Sequence, residues 1–124
     1  MADRQLATTY DVIIVGMGPA GAVAAAALCR EGLTVLGFDK DVHPRYKVCG
    51  GGLSARIDLL LEPGFKSVVE QTVNGVQFVY RGQDPLLIES SQPIAYMVMR
   101  DRFDHYLVQQ AIHAGAELRT GEGV

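Results

Sequence analysis

A short apolar run that leads into a glycine-rich turn constrains this chain more than any other feature. Val12–Val15 is followed by three glycines in the spacing G-x-G-x-x-G, and an alanine-rich segment comes next. The first glycine permits a tight turn, the second lets the backbone approach a pyrophosphate, and the third lets a helix pack closely on the strand. The free N–H groups at the helix N-terminus then attract phosphate. The pattern predicts a dinucleotide site, whose backbone residues would be Gly16, Gly18, Pro19, Ala20 and Gly21.

The surrounding sequence supplies the other parts that such a site requires. Residues 20–31 read as a helix of small side chains that Gly32 ends. Residues 34–38 read as a buried parallel strand that finishes on Asp39. An acidic residue about 20 positions after the turn is placed to accept hydrogen bonds from ribose hydroxyls. Two alternatives stay open, namely glycines that serve packing only and an Asp39 that is a solvated turn carboxylate.

Composition excludes several other classes of protein. The chain has 124 residues, which suits one domain, and its net charge of -3 argues against nucleic acid as a partner. No span qualifies as a transmembrane helix, and the first ten residues do not resemble a secretory signal. Cys29 and Cys49 suggest no disulfide framework, and His43 has no metal-ligand spacing around it. We expect a cytoplasmic protein without a metal site.

The rest of the chain departs from a regular βα alternation. A glycine-rich loop spans about residues 44–54, and Ser54 is placed to cap a short helix through about Leu61. Residues 72–80 alternate as a strand and form a predicted hairpin with residues 86–88, and residues 94–99 read as a further strand. An amphipathic helix follows over about 101–114, whose predicted buried face contains Phe103, Leu107, Val108, Ala111 and Ile112, and the start of another strand comes next. The predicted fold is α/β, with a Rossmann-like βαβ unit over about 10–40 and inserted antiparallel strands over about 72–100. Because so few parallel strands leave an apolar edge, we expect a fragment of a longer protein.

Three motifs together resemble the geranylgeranyl reductase family of FAD-dependent oxidoreductases. They are the strand and turn over residues 11–21, the run Pro-Arg-Tyr-Lys-Val-Cys-Gly-Gly-Gly-Leu-Ser at residues 44–54, and Arg-Asp-Arg-Phe-Asp at residues 100–104. The second motif is the most specific, whereas the other two are shared with related flavoproteins. The resemblance covers nearly the whole chain and implies that residues 1–124 are the N-terminal part of an FAD-binding domain. The later Gly-Asp segment of that family has no match here.

The resemblance also implies a chemistry. FAD would lie with its ADP half on the glycine turn and its ribose on Asp39, next to Lys40. Arg100 would lie along the cofactor, and Cys49, Gly50 and Gly51 would lie near the flavin or the substrate, with Cys49 as a candidate catalytic residue. The implied reaction reduces C=C bonds of an isoprenoid or prenyl-lipid substrate with electrons from NAD(P)H or a ferredoxin-like donor. A full-length protein of this kind could contact a membrane peripherally through its substrate.

Several interpretations of these residues remain open at the level of sequence. Cys49 is either a proton donor or a small side chain that fills a tight loop. Arg45 and Lys47 either meet a phosphate or are solvated charges, and Arg100 could form a surface ion pair instead. Two other functions stay possible for the chain, a flavin-dependent monooxygenase and a non-catalytic nucleotide-binding fragment.

Overall fold

A computed structural model describes residues 9–124 and divides them into two compact units. The first unit contains residues up to Tyr46 and from Asp104 onward, and the second contains Lys47–Phe103. The segment 1–8, where the sequence predicts no secretory signal, lies outside the described residues. The elements in chain order are β1 (Val12–Val15), α1 (Pro19–Arg30), β2 (Val35–Asp39), β3 (Gly52–Ser54), β4 (Val69–Val73), β5 (Gly75–Phe78), β6 (Leu86–Glu89), β7 (Ala95–Val98), α2 (Arg100–Ala114) and β8 (Glu117–Thr120).

The first unit is built on a three-stranded parallel sheet in the order β1–β2–β8. The central strand is β2, whose residues Val35 and Leu36 are almost fully buried, as expected for a strand with neighbours on both sides. Helix α1 buries its alanines at positions 22, 25 and 26. Gly32, with a φ of +87°, follows the end of the helix, in the left-handed conformation that glycine adopts readily. The predicted βαβ core is therefore present, and β8 adds a third strand to it.

The second unit is antiparallel and contains two small sheets. One sheet has the order β3–β7–β4, and the other is the hairpin of β5 and β6. Phe65 and Tyr96 meet edge to face with ring centroids 5.8 Å apart and form the buried centre of this unit. The Tyr96 hydroxyl donates a hydrogen bond to Asp58 over 2.5 Å, and Lys66 pairs with the same carboxylate at 3.3 Å.

One detail of the sequence prediction for this unit is wrong. Residues 72–80 do not form one strand, because the chain changes sheets at Asn74: β4 pairs with β7, whereas β5 pairs with β6. The predicted short helix after Ser54 is present as a 3₁₀ helix over Ala55–Leu59, with the Ser54 hydroxyl accepting from the Arg56 N–H, and a second 3₁₀ helix spans Pro63–Val68. Both helices are short, as 3₁₀ helices usually are, and Phe65 is the residue in them that is buried.

Helix α2 begins one residue earlier than predicted, at Arg100, and Gly115 follows its end with a φ of +115°. Phe103, Leu107, Val108 and Ala111 are buried as the apolar pattern predicts. The same pattern predicts a buried Ile112, which is instead 40% exposed. The helix also buries one charged side chain completely, that of Asp104.

Candidate functional site

The turn between β1 and α1 has the geometry that its glycines predict. Gly16 has a φ of +96°, and its N–H donates a hydrogen bond to the carbonyl of Phe38 over 2.8 Å. Helix α1 starts at Pro19, and its first backbone bond runs from the Ala22 N–H to the Gly18 carbonyl. Because proline has no N–H, Ala20 and Gly21 supply the N–H groups that precede this first helical bond. The turn therefore presents two backbone donors at the positive end of the helix dipole.

The second and third glycines of the turn are required for different reasons. A Cβ at Gly21 would lie 1.9 Å from the Gly16 carbonyl oxygen, so the turn and the helix touch through their backbones. A Cβ at Gly18 would instead meet only the Arg45 Nη2 atom, at an ordinary contact distance of 3.9 Å. Gly18 thus leaves room for a ligand that approaches the backbone, which is the property that a pyrophosphate site requires.

Met17, the variable residue between the first two glycines, anchors the turn to β2. Its side chain is 1% exposed and covers Gly37, where a Cβ would lie only 2.5 Å from the Met17 sulfur. The Met17 N–H also donates to Asp39 Oδ2 over 2.9 Å. The sequence pattern does not identify this residue, because the G-x-G spacing allows any side chain at that position.

Asp39 ends β2 beside the turn and is 8% exposed. Its Oδ1 accepts from the Asp41 N–H at 3.0 Å, and its Oδ2 lies 3.2 Å from His43 Nε2 in addition to the Met17 N–H. Burial raises the pKa of Asp39, but the hydrogen bonds from Asp41, His43 and Met17 outweigh it and hold that pKa below its usual range. The carboxylate is therefore ionised, and Oδ1 keeps acceptor capacity for one further donor such as a ribose hydroxyl.

A cleft of about 270 Å³ opens at the carboxyl ends of the parallel strands. Lys40, which is exposed, lies on its wall beside Asp39. Ligands of open α/β sheets bind at this end of the strands. The residues that line the cleft include Val15, Gly16, Phe38, Asp39, Lys40 and Glu122.

His43 and Arg45 follow the strand and are both more buried than a polar loop suggests. The His43 side chain is 2% exposed, and its Nδ1 atom has no hydrogen-bond partner. The Arg45 guanidinium reaches the turn and forms an ion pair with Asp104 of α2, with Nη2 2.9 Å from Oδ2. The sequence leaves Arg45 undecided between a phosphate ligand and a solvated charge, and its 12% side-chain exposure does not fit a solvated charge.

The second unit places the Cys49 loop beside the end of β7. Gly51 has a φ of +74°, its carbonyl accepts from the Val98 N–H over 2.8 Å, and a Cβ there would lie 2.1 Å from the Val98 carbonyl oxygen. Arg100 follows two residues later and is half-buried at the start of α2. Cys49 is exposed, and its sulfur lies 3.4 Å from the Gly51 nitrogen as an acceptor. A Cβ added at Gly50, which lies between Cys49 and Gly51, would have no neighbouring atom within 4 Å. The Cys49 loop therefore packs against the end of the strand that precedes Arg100.

Two further features bear on the class of site. Within residues 9–124, no three His, Cys, Asp or Glu side chains are grouped so that they could hold a metal ion. In the same range, no helix has both the length and the apolar character needed to cross a membrane. On helix α2, His113 is exposed, whereas His105 is half-buried and its Nδ1 lacks a hydrogen-bond partner.

Comparison with known proteins adds a family to this geometry. The family described as FAD binding domain matches residues 9–124. The FixC protein of Salmonella typhi is 36% identical over 127 aligned residues, which cover 90% of this chain and 29% of that protein. A solved geranylgeranyl bacteriochlorophyll reductase-like protein from Thermoplasma acidophilum shares 28% identity with a TM-score of 0.78, over 90% of this chain and 30% of that one.

The halogenase PltM, solved in complex with phloroglucinol and FAD, is similar to a comparable extent. It shares 26% identity with a TM-score of 0.71, over 90% of this chain and 28% of that one. The chain therefore spans less than a third of the length of these relatives. Enzymes with different reactions share the part of the fold that this chain contains.

Proposed function

We infer the function from the family to which this chain belongs, that of the FAD binding domain, and propose that the protein is a FAD-dependent oxidoreductase. The observation that carries the proposal is the uncrowded backbone at Gly18, which lies between the N–H groups of the α1 N-terminus and the Arg45 guanidinium. Backbone donors, a helix dipole and a guanidinium are complementary to a pyrophosphate. The residues present therefore fit the ADP half of FAD.

Each part of the nucleotide has a counterpart among these residues. Ala20, Gly21 and Arg45 would hold the pyrophosphate, and the remaining acceptor capacity of Asp39 Oδ1 would bind a ribose hydroxyl. The apolar walls that Val15 and Phe38 give to the cleft would receive the adenine ring. The resemblance makes Gly50, Gly51 and Arg100 the candidates for contact with the rest of the cofactor.

We further propose that the reaction is reduction of C=C bonds in an isoprenoid chain. The support is the run of residues 44–54 and the similarity to the reductase-like protein from Thermoplasma acidophilum. FAD, when reduced by NAD(P)H or a ferredoxin-like donor, supplies a hydride for one carbon of the double bond. The protein must then deliver a proton to the other carbon, and the exposed Cys49 thiol is the candidate donor. A lipid substrate would bring the protein to a membrane surface.

A second candidate function is oxygen-dependent halogenation or hydroxylation, which the similarity to PltM supports. The two reactions differ in their consumption of oxygen. With reduced FAD and a prenyl substrate, the reductase yields saturated chains without oxygen uptake. Oxygen uptake together with a hydroxylated or halogenated product would identify the second function. If a Cys49→Ser variant kept full reductase activity, Cys49 would not be the proton donor.

FAD titration followed by flavin fluorescence tests the binding part of the proposal. We expect saturable quenching with the unaltered chain and about 10-fold weaker binding for Gly18→Ala, because the added methyl group enters the phosphate space. Ala24→Val is the matched control, since Ala24 lies on the same helix, away from the turn. Equal FAD affinity of all three proteins would refute the placement of the pyrophosphate. If the unaltered chain bound neither FAD nor ADP, the nucleotide site itself would be refuted, whereas binding of ADP without FAD would show a nucleotide-binding fragment.

A further inference from the structure

The Asp104 carboxylate is buried in a way that packing alone does not explain. It is 0% exposed on α2, and Arg45 Nη2 lies 2.9 Å from its Oδ2. An ion pair in a protein interior is weak evidence for stability, because desolvation offsets much of the attraction, and apolar residues of similar size often serve as well. A buried pair does fix the position of both groups, which a surface pair does not.

The position that this pair fixes is that of the guanidinium at the glycine turn. The same Nη2 atom that contacts Asp104 lies 3.9 Å from the site of a Gly18 Cβ. The other acidic neighbour, Asp41, is half-exposed with Oδ2 3.9 Å from Arg45 Nε, which is too long for a hydrogen bond. Of the two carboxylates, Asp104 is therefore the one within hydrogen-bond distance of the Arg45 guanidinium, which it contacts from helix α2.

The guanidinium keeps donors for another acceptor while Asp104 holds it. A guanidinium has five N–H donors in a rigid fork, and Nη1 of Arg45 is buried without a hydrogen-bond partner. A buried donor without a hydrogen-bond partner is unfavourable, so an incoming anion that accepts a hydrogen bond from Nη1 would relieve this cost. Phosphate oxygens match the fork in charge and spacing.

We propose that Asp104 is a positioning residue for phosphate recognition, in that it holds the Arg45 guanidinium against the Gly18 turn. The inference rests on the proposed nucleotide site and adds to it a residue outside the glycine motif. Asp104 touches no ligand in this scheme and acts only through Arg45. Removal of the Asp104 carboxylate must therefore weaken the binding of ligands that carry phosphate and leave the affinity for the nucleoside unchanged.

The test compares ADP with adenosine by isothermal titration calorimetry on the full chain. We expect Asp104→Ala to weaken ADP binding about 10-fold and to change adenosine binding by no more than about 2-fold. Asp104→Asn keeps an oxygen acceptor for the guanidinium and should restore most of the ADP affinity. Val108→Ala is the matched control, because Val108 is 1% exposed on the same helix and its truncation perturbs packing without touching the ion pair. It should leave the ratio of the two affinities unchanged.

A second variant keeps the test decisive if Asp104→Ala does not fold. Arg45→Lys retains the charge but lacks the fork, so it cannot contact both Asp104 and a phosphate and should lose ADP affinity selectively. Asp104→Leu removes the acceptor with an apolar side chain of similar size, and in that background the same Arg45→Lys change should have a smaller effect. An unchanged ADP-to-adenosine ratio in folded Asp104→Ala, or full additivity of the two changes, would overturn the inference and leave the proposed function intact. Failure of the unaltered chain to bind FAD or ADP would overturn both.

Discussion

The contact between Met17 and Gly37 provides a quantitative test of how the glycine turn is held. A Cβ at Gly37 would lie 2.5 Å from the Met17 Sδ, 3.0 Å from its Cγ and 3.1 Å from its Cε. All three distances are shorter than an ordinary contact between such atoms, and Met17 is 1% exposed, so it has little space into which to move. Gly37→Ala therefore overfills this part of the core.

The magnitudes follow from the size of each change. We expect Gly37→Ala to lower the free energy of unfolding by about 1–3 kcal/mol through overpacking. Met17→Ala should lower it by about 2–5 kcal/mol, because it removes a buried side chain. In the double variant, the methyl group added at position 37 enters space that the Met17 side chain has vacated. The loss should then be smaller than the sum of the two single losses by about 1 kcal/mol or more.

Urea denaturation of the four proteins, followed by circular dichroism, measures this coupling. Met99→Ala is the matched control, because Met99 is 55% exposed, and its loss should add simply to that of Gly37→Ala. If Gly37→Ala and Met17→Ala were additive to within about 0.5 kcal/mol, Met17 would not be what excludes a side chain at Gly37. An unchanged stability of Gly37→Ala alone would have the same meaning.

Three further predictions concern other parts of the chain. Because the pKa of Asp39 is held below its ordinary value, the stability that Asp39 contributes is present above about pH 4 and is lost as the pH falls through the lower folded-state pKa. In acid titrations followed by circular dichroism, Asp39→Asn should lose this part of the pH dependence. An acid transition that is the same in Asp39→Asn and the unaltered chain would contradict this prediction. Gly51→Ala should destabilise the fold by more than about 1 kcal/mol in urea melts, since its Cβ would lie 2.1 Å from the Val98 carbonyl oxygen, and an unchanged midpoint would refute that close approach. The hydrogen bond from Tyr96 is the largest cause that lowers the pKa of Asp58, so Tyr96→Phe should raise that pKa in a carbon-13 NMR titration of the carboxyl groups, and an unshifted pKa would rule out the bond.

The sequence was sufficient for the βαβ core because its signals are local. Apolar periodicity, a glycine spacing and a terminal acid identify β1, α1 and β2 without knowledge of the rest of the chain. The break at Asn74 was missed because alternation continues through it, while the hydrogen-bond partners change from β7 to β6. Alternation reports which side chains share a face and carries no information about which strand is the neighbour.

The sequence predicts the glycine turn and the terminal acid of the candidate site, but not the side chains that pack around them. The glycines and Asp39 carry a recognisable spacing, whereas the burial of His43 and the pairing of Arg45 with Asp104 depend on contacts between distant segments. A charged residue in a loop and a charged residue on a helix are each typical of a solvated surface when considered singly. Only the tertiary structure shows that Asp104 is buried and that Arg45 reaches the turn.

The pairing of β8 with β2 has a consequence for the order in which the first unit can form during synthesis. Its sheet draws on residues near both ends of the chain, and Lys47–Phe103 lies between them in sequence. A nascent chain that has released only β1, α1 and β2 leaves one edge of β2 unpaired and lacks Asp104 as the counter-charge of Arg45. On the ribosome, where folding proceeds from the N-terminus, β2 therefore gains its second neighbour only after Thr120 has emerged, long after the glycine turn has been made.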